Sequence, residues 1–202
     1  MKLVSGFGSL IVLILSACAV PTPAPTAIPS STTEVSSVEG YPLDTTTGNP
    51  EIDPVLAAVA SGDPEELHAL IDYTTAPCTT ADGLGGPPKC REGEAEGTML
   101  EVLPSISSEG GHIRKEEISS WHGVDASALY AIYKVSDTAL NEEYYPPGEY
   151  IIFYVPKENE PGIALRIADG GIVRVDTMFD VFPESLNSVI ERDTSEVILP
   201  PR

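Results

Sequence analysis

The chain has 202 residues, with 11 Lys plus Arg against 31 Asp plus Glu, a formal net charge of −20. A surface of that sign repels phosphate backbones and anionic headgroups, which argues against nucleic acid as a partner and against charge-driven lipid binding. An apolar share of 42% is ordinary for a globular protein, and no basic residue occurs between Lys2 and Lys89.

Lys2 is followed by an apolar run, Leu3–Leu15, and then by Ser16-Ala17-Cys18. A positive start, a short apolar segment and small residues at its end make a secretory signal. The run is too short to cross a hydrocarbon core of about 30 Å, which takes about 20 helical residues. Ser5, Gly6, Gly8 and Ser9 weaken it further as a span.

The stretch Leu15-Ser16-Ala17-Cys18 resembles the box of a bacterial lipoprotein precursor. In that family the chain is cut before the cysteine, whose thiol and new amino group are acylated. The resemblance covers the first eighteen residues. It implies a signal peptide over 1–17, recognition at Leu15, Ser16 and Ala17, and lipidation of Cys18. It further implies a bacterial membrane partner reached through the acyl chains, with the domain on the extracytoplasmic side, at the cell surface or in the periplasm. One short acyl chain binds a membrane only marginally, so firm anchoring needs several on Cys18.

Residues 19–50 hold six Pro and eleven Ser/Thr, with only Glu34, Glu39 and Asp44 charged. Such a stretch buries too little apolar surface to fold, so residues 18–50 are expected to be a lipidated Cys and a disordered stalk. A globular domain is expected over 51–180. Ile52, Val55, Leu56, Val59 and Ala60 mark one face of a helix, which Ser61-Gly62 ends. Asp63 caps a second helix, with Pro64 at its first position, Glu65 and Glu66 in its first turn, and Leu67, Leu70 and Ile71 as its stripe.

Cys78 and Cys90 enclose a loop with three glycines and no periodicity. In an exported protein, an even pair flanking a loop reads as a disulfide. A zinc site needs more ligands than stand nearby. Closing the loop stabilises the fold by roughly 3 kcal/mol in the chain-entropy model. Beyond it, Thr98–Leu103 alternates as a strand that Pro104 stops, and Lys115–Trp121 suits a short helix. Leu129–Val135 alternates, and Tyr150–Val155 is apolar on both faces, as in a central strand. Ile163, Leu165 and Ile167 alternate with Ala164 and Arg166, and Asp169-Gly170 signals a tight hairpin into Ile172–Val175. A short helix near Glu184–Glu191 belongs to a C-terminal tail over 181–202.

Helices first and then mostly consecutive strands give the α+β class, with N-terminal helices packed on a curved, mostly antiparallel sheet and one disulfide-closed loop. The segments Asp53–Ile71 and Ala168–Val175 resemble the first helical segment and the last hairpin of nuclear transport factor 2-like proteins. That resemblance implies a cone-shaped fold whose mouth binds small molecules in some members. The disulfide loop and the segment around Lys115–Trp121 depart from the family's order, and none of its catalytic motifs is present.

The residues that carry chemistry are few. His68 has Asp72 four residues on, a spacing that suits a surface hydrogen bond. His112, Glu116 and His122 match no metal-ligand spacing. There is no Gly-x-Ser-x-Gly elbow, and pairing Cys78 with Cys90 leaves no free thiol. Glu92, Glu94 and Glu96 alternate as a solvated acidic turn without a calcium-loop pattern. The sequence therefore assigns no catalytic residue, no cofactor and no metal. Candidate ligand contacts are Leu84, at the tip of the enclosed loop, and Tyr144 and Tyr145, in a Pro-rich turn. Two function classes follow. One is a tethered, non-catalytic module that binds a protein, glycan or small molecule. The alternative is a small pocket enzyme or small-ligand binder on the cone-shaped fold.

Overall fold

The computed structural model describes residues 39–83, 85–107, 111–139, 141–158, 160–178 and 182–202. The box Leu15–Cys18 and the loop residue Leu84 lie outside them. The fold combines helices with one large, mostly antiparallel sheet, and so is α+β. In chain order the elements are α1 (Asp53–Ser61), α2 (Pro64–His68), β1 (Thr74–Pro77), β2 (Met99–Ile106) and β3 (His112–Arg114). A 3-10 turn over Lys115–Ser120 leads to β4 (Ala126–Val135), β5 (Tyr150–Pro156), β6 (Gly162–Ala168) and β7 (Gly171–Met178). The chain closes with a 3-10 turn, Glu184–Leu186, then α3 (Asn187–Asp193) and β8 (Thr194–Leu199). Eight strands form one sheet in the order β1-β2-β7-β6-β5-β4-β8, with β3 paired to β2. The β2–β7 pairing alone among these is parallel.

The helices begin and end for local reasons. Gly62 takes a left-handed φ of 70°, which closes α1 at no steric cost. Asp63 then accepts a hydrogen bond from the Glu65 amide at 2.9 Å and caps α2. Ile52, Val55, Leu56 and Val59 are buried as the spacing predicts, but Ala58 is buried with them and Ala60 faces solvent. One core cluster joins these side chains and Leu67 to Leu103, Leu129, Ile132, Ile152, Leu165 and Ile167. Each buried Leu or Ile contributes about 1.5–3 kcal/mol.

The alternate residues of the same strands, Ala131, Tyr133, Ile151, Phe153 and Ala164, form a second cluster. Leu186 belongs to it, and Phe182, Val189 and Ile190 pack against it, so the segment after β7 covers the face opposite α1. That explains why β5 is apolar on both faces. The Asp169-Gly170 hairpin has φ of 50° and 77°, the positive pair that a type I′ turn requires.

Three expectations change. Pro104 lies inside β2. Its missing N–H faces the side where β2 changes partner, between β1 at 99–102 and β7 at 105–106. The last residues of the chain form β8, which pairs antiparallel with β4 through Val135↔Thr194, Lys134↔Glu196 and Tyr133↔Val197. At the other end, residues given to the stalk are packed into the folded unit ahead of residue 51. Tyr41 and Leu129 exchange main-chain hydrogen bonds of 2.7 and 2.9 Å, and a Cβ at Gly40 would meet Ala128 and the Leu129 carbonyl at 2.7 Å. Asp53 gathers the Thr47 and Gly48 amides and the Thr47 hydroxyl, tying residues 47–48 to the start of α1.

Candidate functional site

Cys78 and Cys90 stand at disulfide distance, with sulfurs 1.98 Å and Cα atoms 4.9 Å apart. The loop between them is held at further points. The Thr79 amide donates to the Pro88 carbonyl, and the Cys90 amide to the Thr79 carbonyl, both at 2.9 Å. The Tyr145 hydroxyl donates to the Gly86 carbonyl at 3.1 Å, and the Arg114 guanidinium to the Lys89 carbonyl at 2.7 Å. Lys89 folds its ammonium back onto the Ala81 carbonyl at 3.0 Å.

Between this loop and β3 lies a cleft of about 460 Å³, lined among others by Gly86, Lys89, Arg91, His112, Arg114 and Glu117. Its size falls within the rough range of 300–1,000 Å³ usual for small-ligand sites. The pleat of β3 sets the lining. Ile113 packs against the core cluster, while His112 and Arg114, two residues apart, share the opposite face and line the cleft.

Arg114 is buried and grips both carboxylate oxygens of Glu94, at 2.6 and 2.8 Å. Glu94 also accepts the Arg91 amide at 2.7 Å. The Arg114 and Arg91 hydrogen bonds together hold the Glu94 carboxyl at about 2, and the same pairing raises Arg114. Arg91 reaches Glu116 at 3.3 Å and also pairs with Glu117. Glu96 is used separately, by the Thr79 hydroxyl and by the Thr80 amide and hydroxyl. The three alternating glutamates therefore do not act together. Cys78, Cys90 and Glu94 bring ligand-type atoms within 4.8 Å of one another, but the sulfurs are bonded to each other and Glu94 is committed to Arg114.

His112 rests its ring on that of Tyr145, centroids 4.8 Å apart. Burial lowers its pKa, opposed by a hydrogen bond to the Tyr144 main chain. Its Nε2 is buried with no partner. The other two histidines go elsewhere. His68 bonds through Nε2 to the Trp121 carbonyl at 2.8 Å, across 53 residues, rather than to Asp72. His122 is exposed and does not line the cleft, so His112 and His122 are not brought together there.

Of the candidate contacts, Tyr145 is buried and Tyr144 half-buried. Tyr145 lies against the cleft's lining residue His112 and holds the loop by its hydroxyl. Beneath the same segment runs a feature the sequence reading did not find. Arg166, fully buried on β6, donates to Asp176 at 2.8 Å, to Asp193 at 2.5 Å and to the Pro147 carbonyl at 3.1 Å. Arg174 holds both oxygens of Asp176 at 2.6 and 2.8 Å and reaches the Tyr145 and Pro146 carbonyls at 3.4 Å. Arg192 closes the far side of Asp193. The signal for this network was present: two arginines and an aspartate within otherwise apolar strands.

No protein-family model, curated protein or solved structure matches this chain. The site is therefore interpreted on its own geometry.

Proposed function

We propose that this chain is a bacterial lipoprotein, held through acyl chains on Cys18 to the extracytoplasmic face of a membrane, and that its domain is a non-catalytic binding module. Its ligand, a protein, glycan or small molecule, meets the cleft beneath the Cys78–Cys90 loop. The observation that carries this reading is the loop itself. It is pinned at its ends by the cysteine pair and along its length by Tyr145 and Arg114, so the cleft has a preformed wall. A wall ordered in advance loses little entropy when a ligand binds. Among the described lining residues the Cys90 sulfur is taken by Cys78, Arg114 by Glu94 and Glu117 by Arg91, which leaves the lone imidazole of His112 without a carboxylate or nucleophile free to work with it.

The tether reading gains support from where the chain joins the folded unit. Tyr41 pairs on the β8 side of β4, whereas the loop hangs from β1 and β2. Four strand spacings, about 19 Å in all, separate β2 from β4. The described chain thus enters the sheet on the side away from the strands that carry the cleft. We further read α1 and α2 as lying on one face of a curved sheet, as in the nuclear transport factor 2-like fold; the core cluster they share with β2, β4, β5 and β6 supports this.

Two experiments test the proposal. Fractionation of cells expressing Cys18→Ala should find the protein unacylated and released. A variant still held in the membrane through lipid overturns the anchor. A thermal-shift screen of the mature domain against glycans, peptides and small metabolites should yield a ligand whose Kd rises at least about tenfold in Lys89→Glu and in Leu84→Asp. A ligand indifferent to both, or turnover of a panel member by the wild type, overturns the binding reading.

A further inference from the structure

The geometry points to His112 as a proton-operated latch on the cleft: neutral, it holds Tyr145 and through it the Cys78–Cys90 loop in place; protonated, it lets go. The inference rests on the binding reading only for its consequence, which is that ligand is released in acid.

His112 is placed unlike the other two histidines. Its ring lies on Tyr145, one nitrogen is left to the Tyr144 main chain, and Nε2 is buried with no partner. A neutral ring tolerates this arrangement, because an unpaired imidazole nitrogen costs far less to bury than a charged one. Adding a proton at Nε2 creates a buried N–H donor with no acceptor on a ring that now carries a full charge. The surroundings do not compensate that charge. On the same strand face stands Arg114, whose charge is taken up by Glu94, and the loop contributes Lys89 and Arg91, the latter paired with Glu116. Glu117, the one carboxylate among the described lining residues, is engaged with Arg91. Across the ring lie Tyr144 and Tyr145, with Glu142 and Glu143 exposed just before them and Arg174 bonded to the Tyr145 carbonyl. The ring escapes the penalty by turning out of its contact with Tyr145 toward water.

That movement reaches the loop by one bond. Tyr145 is the residue that touches both the His112 ring and, through its hydroxyl, the Gly86 carbonyl. When the ring withdraws, Tyr145 keeps the Gly111 main-chain bond at its hydroxyl but loses the ring packed against its own, and the mid-loop restraint loosens while the cysteine bridge keeps both ends. The loop then opens without unfolding. A histidine is the side chain whose ordinary titration range puts such a switch within reach of extracytoplasmic acidity.

The test is NMR of the isotope-labelled mature protein, titrated from about pH 8 to pH 5, a span that brackets the ordinary imidazole range. The imidazole of His112 is expected to titrate with a midpoint below the ordinary 6.5. The amide signals of Gly85, Gly86 and Tyr145 are expected to move with that same midpoint, and the movement is lost in His112→Gln. In Tyr145→Phe, which keeps the ring contact and removes the bond to Gly86, His112 still titrates but Gly86 no longer follows. This second variant carries the test should His112→Gln fail to fold. A His112 midpoint at or above 6.5, or glycine signals that stay still or follow His68 or His122, overturns the latch. No ligand is needed, so an unsuccessful ligand screen and a failed latch remain separate results.

Discussion

Two regions of this protein are built from the same chemistry, arginine against carboxylate, and they differ in what surrounds it. Arg166, Arg174 and Asp176 on the sheet and Asp193 at the end of α3 are buried together, with Arg166 and Asp193 side chains 0% and 1% exposed. At the cleft, Arg91 is 44% exposed and its partner Glu117 is 50% exposed. In the first region the groups are closed off from solvent, and each lost partner leaves a charge poorly compensated. In the second, water can replace the partners of Arg91, although Arg114 beside it stays buried against Glu94. The buried set is an internal tie between strands and the C-terminal segment. The open set is a surface whose pairs can exchange, as the proposed ligand-facing rim requires.

The largest effect is expected from breaking the buried tie. Asp193 joins Arg166 on the sheet to Arg192 on α3, and its main-chain carbonyl also accepts the Ser136 amide at 2.8 Å. Asp193→Ala should cost about 3–5 kcal/mol, because it leaves the buried Arg166 and Arg174 to share the single carboxylate of Asp176. Urea denaturation measures this, and a loss below about 1 kcal/mol would mean water reaches the network. Acid should act in the same direction. Burial pushes the Asp193 carboxyl up, but hydrogen bonds from Arg192 and Arg166 outweigh it and hold it at about 2, below the ordinary 3.8. The stability it supplies is complete above 3.8 and drains as the pH falls toward 2.

A middle-sized effect belongs to the cleft's covalent frame. Replacing Cys78 and Cys90 together by Ser should cost about 3 kcal/mol in the chain-entropy model. Urea denaturation of the double variant, compared with Asp193→Ala, ranks the two ties directly. The smallest effect should come from the exposed pair: Arg91→Gln changes stability by no more than about 0.5 kcal/mol. A larger loss would show that the rim is as rigid as the interior and would erase the contrast between the two regions.

What the sequence disclosed and what it hid follows the same division between local and distant contacts. The α1 stripe from Ile52 to Val59, the Asp63 cap, the Asp169-Gly170 turn and the cysteine pair all depend on residues within a dozen positions of each other, so their spacing is informative. The alternation in β6 placed Arg166 opposite Leu165 and Ile167, but alternation separates two faces without saying whether one is later covered. The cover comes from Phe182–Ile190 and Asp193, tens of residues downstream. The tail's last residues spell Val197-Ile198-Leu199, too short a run to tell a strand from a frayed end before β4 was known to have a free side. The cleft was hidden for the same reason: Arg114 meets Lys89 and Glu94 across 25 and 20 residues, and Tyr145 meets Gly86 across 59.

The guanidinium of Arg202 sits 4.1 Å from the centroid of the Tyr41 ring. An early residue of the folded unit and a late one therefore meet, and the described chain runs almost in a closed circuit. Such a circuit is suited to circular permutation. A short linker from Arg202 to Tyr41 would seal it, and new termini could be opened in an exposed turn without disturbing any strand. Equally, a reporter fused after Arg202 would leave the domain beside Tyr41, away from the strands that carry the cleft.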